Sequence, residues 1–293
     1  MKLYAPKYYK DFKCIADKCK HSCCIGWEID IDGETMEKYR SLSSGYGREI
    51  AKSIDDGEIP HFILAEHDRC PHLDERGLCR IITELSEDCL CHICREHPRF
   101  YNDTPCGKEV GLGMACEEAC RLILSSDEYS FVEEIGEIDG EKNEFLFDSI
   151  KHRDKIYRIL SDNSIPYDQR LRAIAEEYGI SLSNVSNETI SSLEYLDESH
   201  RELFLEFSCD TKTPENMEKH LERALAYFVY RHCAEVYDVE DFRESLGLAM
   251  FCERLIASIL PKCENVFEAA RIVSEEIEYS EDNTEAIKLE FVF

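Results

Sequence analysis

The stretch FKCIADKCKHSCCIGWEIDID, residues 12 to 32, contains four cysteines and decides how the first part of the chain folds. Twelve of the chain's 16 cysteines lie within residues 1 to 120. The other members of that group are Cys70, Cys79, Cys89, Cys91, Cys94, Cys106, Cys116 and Cys120. Such a density, confined to one part of a chain, predicts a metal site. The cysteines are spread over about a hundred residues, so the fold must bring the ligands together.

Three other roles for cysteines stay open. In an exported protein they would form disulfides, but the chain begins MKLYAP without an apolar segment or a cleavage site, so export is not expected. Zinc would also accept these thiolates, and its possible nitrogen ligands are His21, His72, His92 and His97. Cysteines isolated on helical patterns are expected to pack as small hydrophobic residues, and these are Cys209, Cys233, Cys252 and Cys263.

Several ordered blocks of sequence share a wider pattern. The first is FxCIxxxCxxxCCIGWxIxID at residues 12–32, followed by CPxL at 70–73, GLCRI at 77–81, LCxxCRxxPR at 90–99 and MACxEAxRL at 114–122. Together they resemble the flagellin lysine-N-methylase family, which is related to small proteins with a CxxCxxCC-type cysteine cluster. The resemblance covers residues 8–124, and beyond them only EYSEDN at 278–283 is similar.

The resemblance implies an enzyme that transfers a methyl group from S-adenosylmethionine to lysine side chains of flagellin, with a 4Fe-4S cluster held by N-terminal cysteines. The predicted metal ligands are Cys14, Cys19, Cys23, Cys24, Cys70, Cys79, Cys94 and Cys116. The chain departs from the family pattern at Glu117, where proline is usual, and at Cys120, where alanine is usual. Cys89 and Cys106 are additional. The ligand set therefore stays open.

The chemistry of an iron–sulfur cluster is compatible with this resemblance. Thiolates hold such a cluster, and an iron that S-adenosylmethionine chelates lacks a protein ligand, so three cysteines suffice. Cys14, Cys19 and Cys23 form such a trio, although their spacing is wider than CxxxCxxC. The remaining predicted ligands would complete a closed cluster or a second metal site. No buried strand runs into a glycine-rich turn, so a doubly wound cofactor fold is not expected.

Composition and charge restrict the function classes. The chain has 293 residues, a mass of 34.0 kDa and a formal net charge of -28. Residues 1–120 hold 16 basic and 23 acidic side chains, which leaves 18 basic and 39 acidic ones for residues 121–293. Such a surface repels nucleic acid, and it either attracts a lysine-bearing protein or consists of acidic helices that only face solvent, which charge alone favours. No apolar run approaches the length of a membrane helix, so we expect a cytoplasmic protein.

The coarse pattern predicts a mainly α fold in two domains. Residues 1–124 form a loop-rich, cysteine-rich domain with short helices at 34–42, 48–55, 80–85, 91–96 and 116–124 and extended segments at 61–65 and 110–114. Residues 125–293 form an acidic, all-helical domain with helices at 144–160, 166–178, 214–237, 239–260 and 266–279. Tyr227, Phe228, Tyr230 and Tyr237 are expected in its core.

Catalytic and cofactor-binding residues are not assigned. Asp30 and Asp32 are candidate bases for the lysine amine, but alternation with Trp27 and apolar neighbours favours a strand with its acids in water. Arg95 and Arg99 would hold a cofactor carboxylate or cap a helix end. Two other functions stay open: a non-catalytic zinc- or cluster-stabilised module whose acidic helical half binds a basic partner, and electron transfer through a closed cluster.

Overall fold

A computed structural model describes residues 1–43, 45–128, 132–141, 143–144 and 146–292. Its contacts group the chain into two compact units. We call Lys13–Pro98 the cysteine unit, and Met1–Phe12 with Arg99–Phe293 the helical unit. These units do not coincide with the predicted boundary after residue 124, since the chain leaves the helical unit at residue 12 and returns at residue 99. The division into domains 1–124 and 125–293 stays a prediction.

The described secondary structure confirms a mainly α fold. The strands are β1 Lys2–Pro6, β2 Ile54–Asp55, β3 His61–Phe62, β4 Arg99–Thr104, β5 Gly107–Leu112 and β6 Val132–Glu137. The helices are α1 Gly33–Ser41, α2 Gly45–Lys52, α3 Arg80–Glu84, α4 His92–Glu96, α5 Glu117–Ser125, α6 Ser149–Leu160, α7 Tyr167–Tyr178, α8 Asn187–Ser192, α9 Ser199–Phe204, α10 Glu218–His232, α11 Val239–Ile259, α12 Val266–Val273 and α13 Glu281–Leu289. A π-helical turn, Ser274–Glu278, follows α12 directly.

The helical unit contains a four-stranded sheet in the order β4-β5-β1-β6. β4 and β5 form an antiparallel hairpin, β1 lies parallel to β5, and β6 lies antiparallel to β1. The region predicted as all-helical thus also contributes one strand, β6. The sequence pattern did not predict β1, because its partner β5 lies more than a hundred residues away and five residues carry little periodicity.

The core of the helical unit is built around α10 and α11. Most residues of α11 are buried on all sides, as in a central helix, and α10, α12 and α13 pack against it. Tyr227, Phe228 and Tyr230 are buried as expected, whereas Tyr237 is exposed. Among the isolated cysteines, Cys233 and Cys252 are fully buried and Cys263 is half-buried, but Cys209 is exposed, which contradicts a packing role there.

Helix ends follow their local sequence signals. The side chains of Asp32, Asp238, Asn265 and Ser280 accept hydrogen bonds from the first-turn amides of α1, α11, α12 and α13. The predicted end of α7 at Gly179 is confirmed, since this residue has φ 67°, a left-handed conformation that favours glycine. No helix in the described parts of the chain has the length and apolar character that a membrane crossing needs.

Candidate metal centre

The cysteine unit is a set of short elements around a small core. Ile29, Ile31, Met36, Tyr39, Ile50, Phe62, Ile81 and Cys91 form its buried cluster. Cys79, Cys89 and Cys94 pack against that cluster as partly buried side chains. The sulfur atoms of these residues therefore lie on the inner side of the unit, where water has limited access.

Backbone pairing brings distant cysteines together. The amide of Cys70 donates to the carbonyl of Cys24 at 2.8 Å, and the amide of Gly26 donates to the carbonyl of Asp68 at 2.9 Å. A turn at Asp74 then reverses the chain, so that an isolated bridge pairs Leu73 with Cys79. Cys70 and Cys79 consequently approach the first cysteine block, although about fifty residues separate them in sequence.

Electrostatic coupling identifies a group of five thiols, which we call the thiol cluster. Its members are Cys24, Cys70, Cys79, Cys91 and Cys94. Burial, with smaller contributions from the neighbouring thiolates of Cys24, Cys79 and Cys91, raises the pKa of the Cys70 thiol to about 12. Burial likewise raises the pKa of Cys79, with Cys24 and Cys91 contributing. Five cysteines from four sequence blocks therefore lie close to one another.

Two pairs of thiols in this region are hydrogen-bonded. A hydrogen bond with Cys23 lowers the pKa of the Cys24 thiol to about 7, against the opposing effect of burial, with smaller contributions from Ser22 and the Arg69 guanidinium. A hydrogen bond with Cys94 lowers the pKa of Cys91, and the same bond raises that of Cys94. One thiolate in each pair is therefore favoured, which is the protonation state that metals bind.

The other predicted ligands are placed differently. Cys14 and Cys23 are exposed, and Cys19 is half-buried. The Cys14 sulfur accepts from the amide of Ala16 at 3.4 Å, and the Cys19 thiol donates to the carbonyl of His21 at 3.2 Å. Cys116 belongs to the helical unit, where it precedes α5. The assignment of Cys14, Cys19, Cys23 and Cys116 as ligands stays a prediction.

The ligand prediction left out Cys91, although its side chain is fully buried within the thiol cluster. The available signal was the spacing Cys91-x2-Cys94. Cys91 immediately precedes α4 and Cys94 lies in its first turn, so the spacing directs both sulfurs to the same side. Both cysteines of a CxxC motif are therefore better predicted as metal ligands than one of them alone.

His72 and Asp32 have structural roles. The Nδ1 atom of buried His72 lies 3.0 Å from the Tyr46 hydroxyl and its Nε2 atom lies 2.9 Å from the Ser53 hydroxyl. Both ring nitrogens are thus engaged, and neither is available to zinc in this arrangement. Asp32 accepts hydrogen bonds from the amides of Thr35 at 2.9 Å and His92 at 2.7 Å. Its carboxylate therefore binds amides in the first turns of both α1 and α4.

The donor set of the thiol cluster fits a metal. A 4Fe-4S cluster requires three or four thiolates, and a structural zinc requires four nitrogen or sulfur ligands. The five thiols satisfy either requirement, and the pKa is lowered for two of them, Cys24 and Cys91. Alternation in the sequence favours a strand at residues 27–31. Within the described residues, this stretch makes only an isolated bridge, which pairs Asp30 with His61.

A second region in the helical unit joins two of the matched blocks. The Tyr227 hydroxyl accepts from the Met114 amide at 3.2 Å and donates to the Glu278 carboxylate at 2.8 Å. Glu278 is buried and also accepts from His232 at 2.8 Å, with Arg231 at 3.2 Å. Blocks 114–122 and 278–283 therefore meet through a buried polar network around Tyr227.

Comparison with known proteins gives three curated relatives. The flagellar biosynthetic protein FliU of Salmonella muenchen is 29% identical over 157 residues, which cover 50% of this chain and 88% of that protein. The lysine-N-methylases of Salmonella choleraesuis and Salmonella typhimurium are each 29% identical over 134 residues. These relatives confirm the predicted resemblance. The similarity to the flagellin lysine-N-methylase family is thus supported by sequence search as well as by motif.

The extent of these matches is partial. The alignment with each lysine-N-methylase covers 41% of this chain and 32% of that protein, so the chain matches about a third of their length. No family model matches the chain. No solved structure matches it either.

Proposed function

We propose that this chain is an S-adenosylmethionine-dependent protein-lysine N-methyltransferase of the flagellin lysine-N-methylase type, with an iron–sulfur cluster held by the cysteine unit. The observation that carries the proposal is the thiol cluster, in which cysteines from four separated blocks come together. The names of the curated relatives supply the reaction class and the link to the flagellum.

The cysteines of the thiol cluster would bind the iron–sulfur cofactor, with Cys23 beside them. S-adenosylmethionine would supply an electrophilic methyl group. In the transfer, the bond from sulfur to the methyl carbon breaks, a bond from the lysine nitrogen to that carbon forms, and the amine proton leaves to a base. S-adenosylhomocysteine is the other product. The amine must be neutral to react, so the protein has to remove its proton first.

Metal analysis tests the cofactor. Protein purified without oxygen should be brown and contain iron with matching acid-labile sulfide, because thiolate-bound clusters degrade in air. Cys91→Ser should lose most of the iron, since a serine hydroxyl is a poor substitute for a thiolate. Cys209→Ser, which changes an exposed cysteine of the helical unit, is the matched control and should keep it. Stoichiometric zinc without sulfide under strict anaerobiosis would contradict the cluster and favour a zinc-stabilised interaction module.

Mass spectrometry of flagellin tests the reaction. Flagellin from the same host, incubated with reduced protein and S-adenosylmethionine, should gain methyl mass on lysines. Cys19→Ser and Cys23→Ser should abolish the gain if these residues hold the cluster. Cys252→Ser, a change in the buried core of α11, should leave it largely intact. A folded, cluster-loaded protein that methylates no flagellin rejects the assignment and favours binding of a basic partner.

A further inference from the structure

We propose that a cavity in the helical unit binds a lysine side chain of the protein substrate, an inference that rests on the proposed function and adds a binding site to it. The cavity has a volume of about 550 Å³, within the range of ligand pockets. We call it the acidic cavity. It is lined by Glu194, Tyr195, Leu196, Glu275, Glu276, Tyr279, Ser280, Glu281 and Asp282.

The charge of the lining is one-sided. It contains five carboxylates and neither lysine nor arginine. Glu275 accepts from Arg271 at 2.6 Å. Glu276, whose side chain is only 1% exposed, accepts from two backbone amides and lies 2.6 Å from the Nδ1 atom of His200. These two carboxylates are therefore balanced by partners that belong to the protein.

The remaining three carboxylates of the lining have no such balance. Glu194, Glu281 and Asp282 are exposed, and their carboxylates make no ion pair or hydrogen bond with any of the described residues. Three like charges at one mouth repel one another and concentrate a negative potential there. A cation that enters from solvent relieves this repulsion, so the free carboxylates select a positively charged ligand.

The walls of the acidic cavity are held in place without a ligand. Asn283 is 2% exposed, and its Nδ2 atom donates to the carbonyls of Glu194 and Glu276, both at 2.7 Å. Its Oδ1 atom accepts from the Glu194 amide at 2.8 Å. One buried amide thus ties the segment before α9 to the segment before α13. A preformed cavity spends less of its binding energy on ordering its walls.

The lining also suits the shape of lysine. Leu196, Tyr195 and Tyr279 offer apolar surface beside the carboxylates. A lysine side chain places its methylene stem against apolar surface while its ammonium contacts polar groups. Leu196 is 56% exposed, so this apolar contact is accessible to a protein substrate from solvent.

A divalent metal is the competing occupant. The ligand atoms of His200, Glu275 and Glu276 lie within 4.8 Å of one another, which is a spacing that metals accept. Those groups already contact each other, Arg271 or backbone amides, so a metal must displace these partners. An ammonium that binds the three free carboxylates displaces none of them. The observations therefore favour lysine.

Fluorescence anisotropy tests the proposal with the full, metal-loaded chain. The probes are a labelled peptide with a single lysine and the same peptide with norleucine in its place. The cavity variant carries Glu194→Gln, Glu281→Gln and Asp282→Asn. The control variant carries Glu188→Gln, Glu202→Gln and Glu285→Gln, an equal loss of exposed charge away from the cavity.

The wild-type protein should bind the lysine peptide ~10-fold more tightly than the norleucine peptide, the scale of one or two charge-assisted hydrogen bonds. The cavity variant should lose that preference, whereas the control variant should keep it. Equal or absent binding of the two peptides by the wild-type protein overturns the proposal. So does an unchanged preference in the cavity variant, or stoichiometric Mn²⁺ binding that His200→Asn abolishes.

Failure of the site and failure of the proposed function give different results. If the preference for lysine depends on the cavity but flagellin gains no methyl mass, the binding site stands and the methyltransferase assignment fails. If the wild-type protein methylates flagellin and the cavity variant does so with an unchanged KM, the methyltransferase assignment stands and the acidic cavity is not its lysine site.

Discussion

Single buried residues carry much of the organisation of the helical unit. Glu278 is the clearest case, because its side chain is fully buried and contacts Arg231, His232 and the Tyr227 hydroxyl. Burial opposes ionisation of this carboxyl, but the charge of Arg231 and a hydrogen bond from His232 hold its pKa below the ordinary value. These partners therefore stabilise the carboxylate. Without the carboxylate, the buried charge of Arg231 would lack a counter-charge.

Replacing Glu278 with Gln should destabilise the protein by about 3 kcal/mol, because Arg231 then remains buried without a counter-charge. The folded pKa of Glu278 is lowered, so its contribution is present above the unfolded pKa and lost as pH falls through the folded value. The difference from wild type should consequently shrink in acid. Urea unfolding at several pH values measures it, with exposed Glu285→Gln as the control. A constant difference at all pH values contradicts the role of the charge.

At the scale of elements, α11 shows how one position decides the packing of a whole helix. A Cβ atom at Gly247 would lie 2.4 Å from the ring of Phe291, which is fully buried. The missing side chain at Gly247 therefore leaves room for Phe291, which lies in the chain segment after α13. Close packing of helix against ring, and not backbone freedom, is the reason for glycine here.

Replacing Gly247 with Ala should lower stability despite the better helix propensity of alanine. The propensity gain is about 1 kcal/mol, whereas overpacking a fixed core typically costs 1–3 kcal/mol. The matched control is Gly33→Ala in α1, where a Cβ atom meets nothing within 4 Å. Thermal unfolding should show a lower Tm for the first variant and an equal or higher Tm for the second. A raised Tm for Gly247→Ala means that the Phe291 ring moves aside at little cost.

The whole molecule divides its stability between two different sources. The helical unit has an extended core that includes α10, α11 and α12. The cysteine unit buries only a small cluster, which contains Cys91 and packs against Cys79 and Cys94 of the thiol cluster. A core this small would gain much of its stability from the proposed metal.

Removal of metal should therefore affect the two units unequally. Treatment of the full chain with a strong chelator should abolish the protection of backbone amides in residues 13–98, as measured by hydrogen-exchange mass spectrometry. The amides of α10 and α11 should stay protected. Because the proposed metal site lies in the cysteine unit, loss of the metal would remove binding energy from that unit alone. Equal loss of protection in both units contradicts this division, and unchanged protection throughout shows that the cysteine unit folds without metal.

The sequence by itself determined the mainly α class, the cysteine blocks and ten of the thirteen described helices to within about five residues, but it did not predict α8, α9 and α13. Apolar residues at three- and four-residue steps and local caps such as Asp238 and Gly179 act within one turn of helix, so they can be recognised without the fold. The resemblance to the flagellin lysine-N-methylase family also followed from sequence, since spacing within each block is a local property.

Only the tertiary structure decided which of these residues meet. The pairing of Cys24 with Cys70, the burial of Cys91 in the thiol cluster and the pairing of β1 with β5 all join segments far apart in the chain. The acidic cavity arises in the same way, because Asn283 ties residues about ninety positions apart. Such contacts depend on chain reversals and long-range packing, and neither leaves a periodic signal in the local sequence.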